Sequence, residues 1–143
     1  MPLRRIVVAI DGSEPADRAL ALASELARLG EAGTLILVSA LSDPVTFAPT
    51  PVAGLEMVLE AEQRGAERDL AERAEYLRAQ GLRVETVIRV GAAADVVVEV
   101  ADANGADLVV AGSTGKGALQ RAILGSVTTR LLHLLRRPLL VVP

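Results

Sequence analysis

Short apolar runs alternate along the chain with longer stretches of mixed polarity. The apolar runs are rich in β-branched residues and are bounded by turn residues, which predicts strands buried on both faces. The predicted strands are Arg5 to Ile10, Leu35 to Leu41, Arg83 to Val90, Asp107 to Ala111 and Pro138 to Val142. Apolar and polar residues alternate in the third of these, which predicts a strand at the edge of the sheet.

The stretches between these strands carry apolar residues at helical spacing. Ser13 is placed to cap the first helix, and Gly30 to end it. The segment from Leu55 to Gln80 is rich in Glu, Arg, Ala and Leu, and predicts a long exposed helix. The valines from 96 to 98 favour a strand by propensity, but the spacing of apolar residues from Ala93 onward predicts a helix. A last helix is predicted from Ser126 to Leu135.

Strands and helices therefore alternate, with one long loop from Ser42 to Gly54 that contains three prolines. This order predicts an α/β fold: a parallel sheet covered by helices on both faces, with right-handed crossovers. We expect one domain over residues 1–143. Ligands of such sheets bind outside the carboxyl ends of the strands, where the strand order reverses. If the first and fourth strands are neighbours, the polar turns that follow them face one crevice.

Composition narrows the possible functions. The 143 residues carry a net charge of −3 and only one Phe and one Tyr, so we expect no nucleic-acid partner. There is no cysteine and a single histidine, His133, which excludes thiol chemistry and a multi-histidine metal site. The N-terminal apolar run stops at Asp11 and no run approaches the ~20 residues that span a bilayer. We therefore expect a soluble cytoplasmic protein without a membrane partner.

The glycine-rich stretch GSTGKGALQRAILGSVTT, which begins at Gly112, is the strongest candidate site. It does not match the phosphate-binding P-loop, because Gly117 follows Lys116 where serine or threonine is required. It also fails the dinucleotide fingerprint, because Gln120 occupies the third glycine position. Neither of these common nucleotide motifs explains the stretch.

A different spacing does fit a phosphate site. Gly112 and Gly115 allow the backbone to approach a ligand, and after nine intervening residues Gly125 and Ser126 precede a helix. The free N–H groups of a helix N-terminus bind anions, and the hydroxyl groups of Ser126 and Thr128 offer further donors. The two ends of the stretch are therefore expected to enclose one polyphosphate.

The sequence resembles the universal stress protein family, and specifically its ATP-binding branch. The segments that carry this resemblance span the chain: IVVAIDGSE, VGAAADVVVEVA, DLVVAGSTGKG, LGSVTTRLL and RPLLVV. The resemblance implies a five-stranded parallel sheet of order 3-2-1-4-5, of the adenine nucleotide alpha-hydrolase-like type. It also implies a homodimer, which is expected to form through the apolar C-terminal strand. The ligand that it implies is ATP, accompanied by Mg²⁺ or Mn²⁺.

The resemblance also implies roles for individual residues. Asp11 contacts the ribose, Ala9 lines the base pocket and the backbone of Ala40 meets the adenine. The phosphates and the adjoining ribose are assigned to the glycine-rich stretch, with Lys116 near the phosphates; the residues concerned are Gly112, Gly115, Lys116, Gly125, Ser126, Val127 and Thr128. Thr114 replaces the Arg or His frequent in the family, and Ser39 replaces a common His. Side-chain assistance at position 114 is therefore expected to be weaker, and neither replacement changes the spacing of the motif.

Structural explanations remain open for several of these residues. Asp11 is also placed to cap the following helix, the glycines to form ordinary turns, and Lys116 to lie in solvent. His133 is expected at a helix end without a catalytic role, since no nucleophile is paired with it.

Three functions fit the chain. A nucleotide-binding regulatory module with at most slow ATP hydrolysis fits best, and a dimerising interaction module that needs no nucleotide is the alternative. A phospho-acceptor receiver domain fits less well, because the third strand ends in Ile88-Arg89-Val90 rather than in an acceptor aspartate.

Overall fold

The structure is a computed structural model that describes residues 2–30, 33–42, 53–115 and 124–143. Within these residues, strands and helices alternate as predicted. The elements are β1 (Arg5–Ala9), α1 (Glu14–Leu29), β2 (Thr34–Leu41), α2 (Leu55–Ala79), β3 (Arg83–Val90), α3 (Ala93–Ala103), β4 (Leu108–Gly112), α4 (Ser126–Leu134) and β5 (Leu139–Val142). Most of the proline-rich loop, and Lys116 with the middle of the glycine-rich stretch, lie outside the described residues.

The five strands form one parallel sheet in the order β3-β2-β1-β4-β5. This confirms the fold class and the predicted edge position of β3. The strand order reverses between β1 and β4, which pair in register from Ile6 with Leu108 to Val8 with Val110. The polar turns after these two strands consequently leave the sheet side by side.

Helices cover both faces of the sheet, and two apolar clusters result. Consecutive residues of β1 point to opposite faces: Val8 packs in the cluster beneath α1 and α2, and Val7 in the cluster beneath α3. Both residues are fully buried. A central strand of a doubly covered sheet has no solvent face, which explains why RIVVA reads as a continuous apolar run.

The long helix α2 differs from the exposed helix that the sequence predicts. Its C-terminal part buries Leu70, Ala74 and Leu77 against the sheet. These three residues lie at i, i+4 and i+7, the spacing that aligns side chains on one helix face. The many Glu and Arg residues around them obscured this short apolar stripe in the sequence.

Candidate functional site

The turns after β1 and β4 form the walls of a crevice at the carboxyl edge of the sheet. Asp11 to Ser13 follow β1, and Ser113 to Gly115 follow β4. A Cβ atom built on Gly115 would lie 3.3 Å from Oδ2 of Asp11. The predicted meeting of these two turns is thus present in the structure.

Asp11 is held in place by the residue that caps α1. Its Oδ1 atom accepts hydrogen bonds from the backbone N–H of Ser13 (2.9 Å) and from the Ser13 hydroxyl (2.5 Å). Oγ of Ser13 in turn accepts a hydrogen bond from the N–H of Ala16 at 3.2 Å, and Ser13 is the N-cap of the helix. Asp11 therefore does not cap α1 itself, and its other oxygen, Oδ2, faces Gly115.

The turn between these two residues depends on a glycine. Gly12 has φ of +80°, in the left-handed region that glycine adopts without steric cost. This turn reverses the chain directly after β1 and places the exposed Asp11 carboxylate above the sheet edge. Sequence reasoning named Asp11 but missed Ser13 as its positioning partner. The Asp-x-Ser spacing of an Asx turn was the available signal.

Gly112 is required by packing inside the protein. A Cβ atom at this position would lie 2.8 Å from the backbone of Pro15 and Ala16, at the start of α1. The end of β4 therefore touches the first turn of the helix, and no larger residue fits without moving one of them. The predicted contact of Gly112 with a nucleotide stays a prediction beside this structural role.

The two ends of the glycine-rich stretch lie against each other. The N–H of Gly125 donates a hydrogen bond to the carbonyl oxygen of Ser113 at 2.8 Å. A Cβ atom on Gly125 would lie 3.2 Å from Cα of Thr114 and 3.3 Å from N of Gly115. The start of α4 is thereby placed beside the turn that carries Gly115.

Among the described residues, no side chain caps the N-terminus of α4. Gly125 is its N-cap residue and has no side chain with which to accept a hydrogen bond, while the N–H of Thr129 makes a helical bond to its carbonyl oxygen at 3.0 Å. The N–H groups of Ser126, Val127 and Thr128 come before this first helical bond, so they have no partner within the helix. Ser126 is exposed and Val127 is half-buried. Such a helix end attracts an anion through its N–H groups and its dipole.

Thr128 turns its hydroxyl group into the protein. Only 3% of the residue is exposed, and Oγ1 donates a hydrogen bond to the carbonyl oxygen of Gly112 at 2.7 Å. This bond ties the first turn of α4 to the end of β4. The hydroxyl group is therefore used inside the protein, because residue 128 lies on the core face of the helix, and the predicted contact of Thr128 with a nucleotide stays a prediction.

The two residues expected near the base lie at the ends of central strands. Ala9 and Ala40 are both half-buried and pack against the cluster beneath α3. Beside them, the Ser39 hydroxyl donates a hydrogen bond to the carbonyl oxygen of Ile10 at 3.0 Å. Ser39 therefore serves to join β2 to the turn that follows β1, and the contacts of the two alanines with a base stay predictions.

Three other polar residues near the end of the described chain bond elsewhere. His133 is exposed in the last turn of α4, with Nδ1 2.8 Å from the carbonyl oxygen of Thr129. Arg130 and Arg137 pair with Asp95 and Asp102 at 3.1 Å each. In the described part of the chain, no group of three or more His, Asp or Glu side chains is placed to hold a metal ion. No helix there combines the length and the apolar character that crossing a membrane requires.

Known proteins similar to this chain were found by sequence. A universal stress protein of Methanocaldococcus jannaschii, MJ0531, is 30% identical over 140 residues, which cover 97% of this chain and 81% of the relative. A universal stress protein of Mycolicibacterium smegmatis is 35% identical over 144 residues. The chain spans 47% of that second, longer relative.

Two similar solved structures hold adenine nucleotides. One is a universal stress protein in complex with cAMP, with a TM-score of 0.67 and 27% identity, matched over 99% of this chain and 98% of that one. The other is a universal stress protein from Archaeoglobus fulgidus in complex with dAMP, with a TM-score of 0.68 and 25% identity over the full length of both chains.

The model of the universal stress protein family matches residues 2–143, almost the whole chain. The sheet order of the chain, and the meeting of the turns after β1 and β4 at the crevice, agree with what the sequence predicted. By this match, the chain belongs to the universal stress protein family.

Proposed function

We propose that this chain is a regulatory module that binds ATP in the crevice between the turns after β1 and β4. One observation carries the proposal: a fixed carboxylate, a residue without a side chain and an uncapped helix N-terminus converge there. Asp11 offers Oδ2 to ribose hydroxyl groups, and Gly115 leaves room for the ligand beside it. The start of α4 receives the phosphates. The complexes of two relatives with cAMP and dAMP support an adenine nucleotide as the ligand.

The residues present fit a nucleotide better than a metal ion held by the protein alone. Asp11 is the carboxylate at the described crevice, and one carboxylate does not form a Mg²⁺ or Mn²⁺ site. When the divalent ion accompanies ATP, it neutralises phosphate charge and takes most of its ligands from phosphate oxygens and water. The chain's own residues bind and orient the nucleotide.

In this proposal the protein is not an enzyme in the ordinary sense. Phosphoryl transfer requires a positioned nucleophile or base and stabilisation of the developing charge. His133 lies in the last turn of α4 with its Nδ1 beside the carbonyl oxygen of Thr129 in the same helix, so it does not serve the crevice. We expect ATP hydrolysis to be slow. The signal in a stress response is then the occupancy of the crevice by ATP, which the protein passes to partners in the cytoplasm.

Calorimetric titration with ATP and Mg²⁺ tests the proposal, with ADP, AMP and cAMP titrated in parallel. Gly115→Ala adds a methyl group 3.3 Å from Oδ2 of Asp11 and should weaken ATP binding at least about tenfold, a loss of about 1.4 kcal/mol. Gly65→Ala is the matched control, because a Cβ atom there has no neighbour within 4 Å. It should bind ATP as the unchanged protein does.

Absence of binding by folded, nucleotide-free protein would contradict the proposal and favour an interaction module that works without nucleotide. Protein purified with ligand already bound should first be denatured, and the released compound identified by mass. Equal weakening by the Gly115 and Gly65 substitutions would also contradict it, because the effect would then not arise in the crevice.

We also propose that two copies of the chain associate through β5. The sheet has two edges, and they differ in charge. The strand β3 carries Arg83, Glu85 and Arg89, and charged residues discourage pairing between edges. The other edge, β5, is the uncharged sequence LLVV, with all four residues half-buried. A second copy that pairs with this edge would cover its free backbone groups.

A further inference from the structure

A groove lies between α1 and α2, the two helices that cover one face of the sheet, and it is separate from the crevice. Both helices pack on the same cluster, through Leu20 of α1 and Leu77 of α2. These two residues and the buried Ser24 line the floor. The groove has a volume of about 570 Å³, within the range of cavities that take ligands.

Polar links between the helices fix the width of the groove at both ends. At one end, Arg73 of α2 bonds to Asp17 of α1 at 2.7 Å and to Asp69 of its own helix at 3.0 Å. At the other end, the Arg28 guanidinium donates a hydrogen bond to the side-chain oxygen of Gln80. Asp17 and Arg28 are 11 residues apart on α1, which corresponds to about 16 Å along the helix. The groove is therefore a defined channel rather than a gap between loose helices.

The charges that line the groove are unbalanced. Four carboxylates face two guanidinium groups, which leaves a net charge of −2. The guanidinium of Arg73 is already committed to two carboxylates: burial lowers the pKa of Arg73, but the hydrogen bonds and charges of Asp17 and Asp69 outweigh this and raise it. Glu25 on α1 and Glu72 on α2 are exposed and form no ion pair among the described residues.

An exposed aromatic ring stands beside these two carboxylates. Tyr76 lines the same groove, is 69% exposed, and lies one helical turn after Glu72. An aromatic face attracts a guanidinium group, and planar carboxylates pair with its N–H groups. Tyrosine and arginine are also the residues enriched at the energetic centres of protein interfaces. Glu25, Glu72 and Tyr76 together form the recognition elements for an arginine side chain.

We propose that the α1–α2 groove is a docking site for an arginine-bearing segment of a partner protein. The guanidinium group stacks on Tyr76 and pairs with Glu25 and Glu72, while apolar neighbours of the arginine cover Leu20 and Leu77. This site is separate from the crevice at the carboxyl edge of the sheet, so the inference does not depend on nucleotide binding.

Tyr76 offers a direct measurement of docking, because the chain has a single tyrosine and no tryptophan. The probe is the peptide acetyl-Arg-Leu-Arg-Leu-Arg-amide, titrated at about 20 mM salt, where screening is weak. It contains no aromatic residue, so any change in tyrosine emission comes from Tyr76. A second peptide with citrulline in place of each arginine keeps the shape of the side chain but removes its charge.

We expect the arginine peptide to change Tyr76 emission with a saturable dependence on concentration, and the citrulline peptide to have no effect. The variant Glu25→Gln with Glu72→Gln should weaken binding about tenfold, as loss of two ion pairs predicts. The variant Tyr76→Leu has no tyrosine emission, so its binding of the arginine peptide is measured by calorimetry. It should also be weaker than that of the unchanged protein. Far-UV circular dichroism checks that each variant is folded.

The control is Glu60→Gln with Glu62→Gln, which removes the same charge from exposed positions of α2 outside the groove. It should bind the peptide as the unchanged protein does. Equal weakening by both double variants would show a general charge effect and overturn the proposal. Equal binding of the citrulline peptide, or no binding of the arginine peptide at low salt, would overturn it as well.

Discussion

At the scale of single residues, neighbouring positions in α4 have opposite uses. Thr128 is buried and holds the end of β4, whereas Thr129 is exposed and donates a hydrogen bond to the carbonyl oxygen of Gly125 within its own helix. The sequence VTT does not distinguish them, because the choice depends on which side of the helix meets the sheet. Thr128 thus has a structural bond that the sequence did not predict, and its predicted contact with a ligand stays a prediction.

We predict that Thr128→Val lowers the free energy of unfolding by about 1 to 3 kcal/mol. The substitution keeps the shape of the side chain but leaves the Gly112 carbonyl oxygen without its donor, and a buried group without a partner is costly. Urea denaturation measures the change. Thr129→Val is the matched control and should cost less than about 1 kcal/mol, since water replaces the lost bond. Equal losses in the two variants would contradict this account.

At the scale of secondary-structure elements, the helices begin where the sequence indicated them. Ser13 caps α1, and the spacing of apolar residues correctly predicted helix α3 against the strand propensity of its valines. That spacing buries Val96, Val97 and Val100 on one face of α3. The period of the pattern therefore decided between helix and strand, because a strand would have turned Val96 and Val97 to opposite faces.

The long helix α2 contains a glycine that provides a test of helix propensity. Gly65 is exposed inside the helix, and a Cβ atom there would have no neighbour within 4 Å. We predict that Gly65→Ala raises the free energy of unfolding by about 0.5 to 1 kcal/mol, because alanine restricts the unfolded chain more than glycine does. Thermal or urea unfolding measures the gain.

The contrasting variant is Gly12→Ala, which also meets no neighbour within 4 Å but lies at φ of +80°. It should lower the free energy of unfolding by about 1 kcal/mol, because alanine is strained in that conformation. A loss of stability in Gly65→Ala, or a gain in Gly12→Ala, would refute the assignment of these glycines.

At the scale of the whole molecule, the edge strand β5 connects assembly with the crevice. The N–H of Ser113 donates a hydrogen bond to the carbonyl oxygen of Val142 at 2.7 Å, and that of Val109 donates to Pro138 at 2.9 Å. Because hydrogen bonds alternate along a strand, the backbone groups of Leu139 and Val141 point away from β4. These outward groups are the ones that a second copy would cover.

We predict that Val141→Pro converts the proposed dimer to a monomer. Proline removes an outward N–H group while leaving the β4–β5 hydrogen bonds in place, and edge strands tolerate proline for this reason. Light scattering after size-exclusion chromatography measures the mass, and truncation after Arg137 should likewise give a monomer or insoluble protein. A Val141→Pro variant that remains dimeric at low micromolar concentration would refute association through this strand.

The sequence by itself determined the order of elements, the parallel sheet and the residues at the two turns of the crevice. These features follow from local causes: apolar runs form buried strands, helical spacing forms amphipathic helices, and Asp-Gly-Ser forms a turn. Each requires only a few adjacent residues. The local patterns left the pairing of β1 with β4 open; the family resemblance implied it, and the sheet order confirms it.

Only the tertiary structure decided how residues distant in the chain meet. It gave Gly112 its role against the start of α1, turned Thr128 inward, and opened the groove between α1 and α2. The physical reason is that these features depend on how two packed elements approach each other, and no local pattern records that distance. The chain's membership of its family is therefore readable from short motifs, whereas the use of each side chain depends on packing.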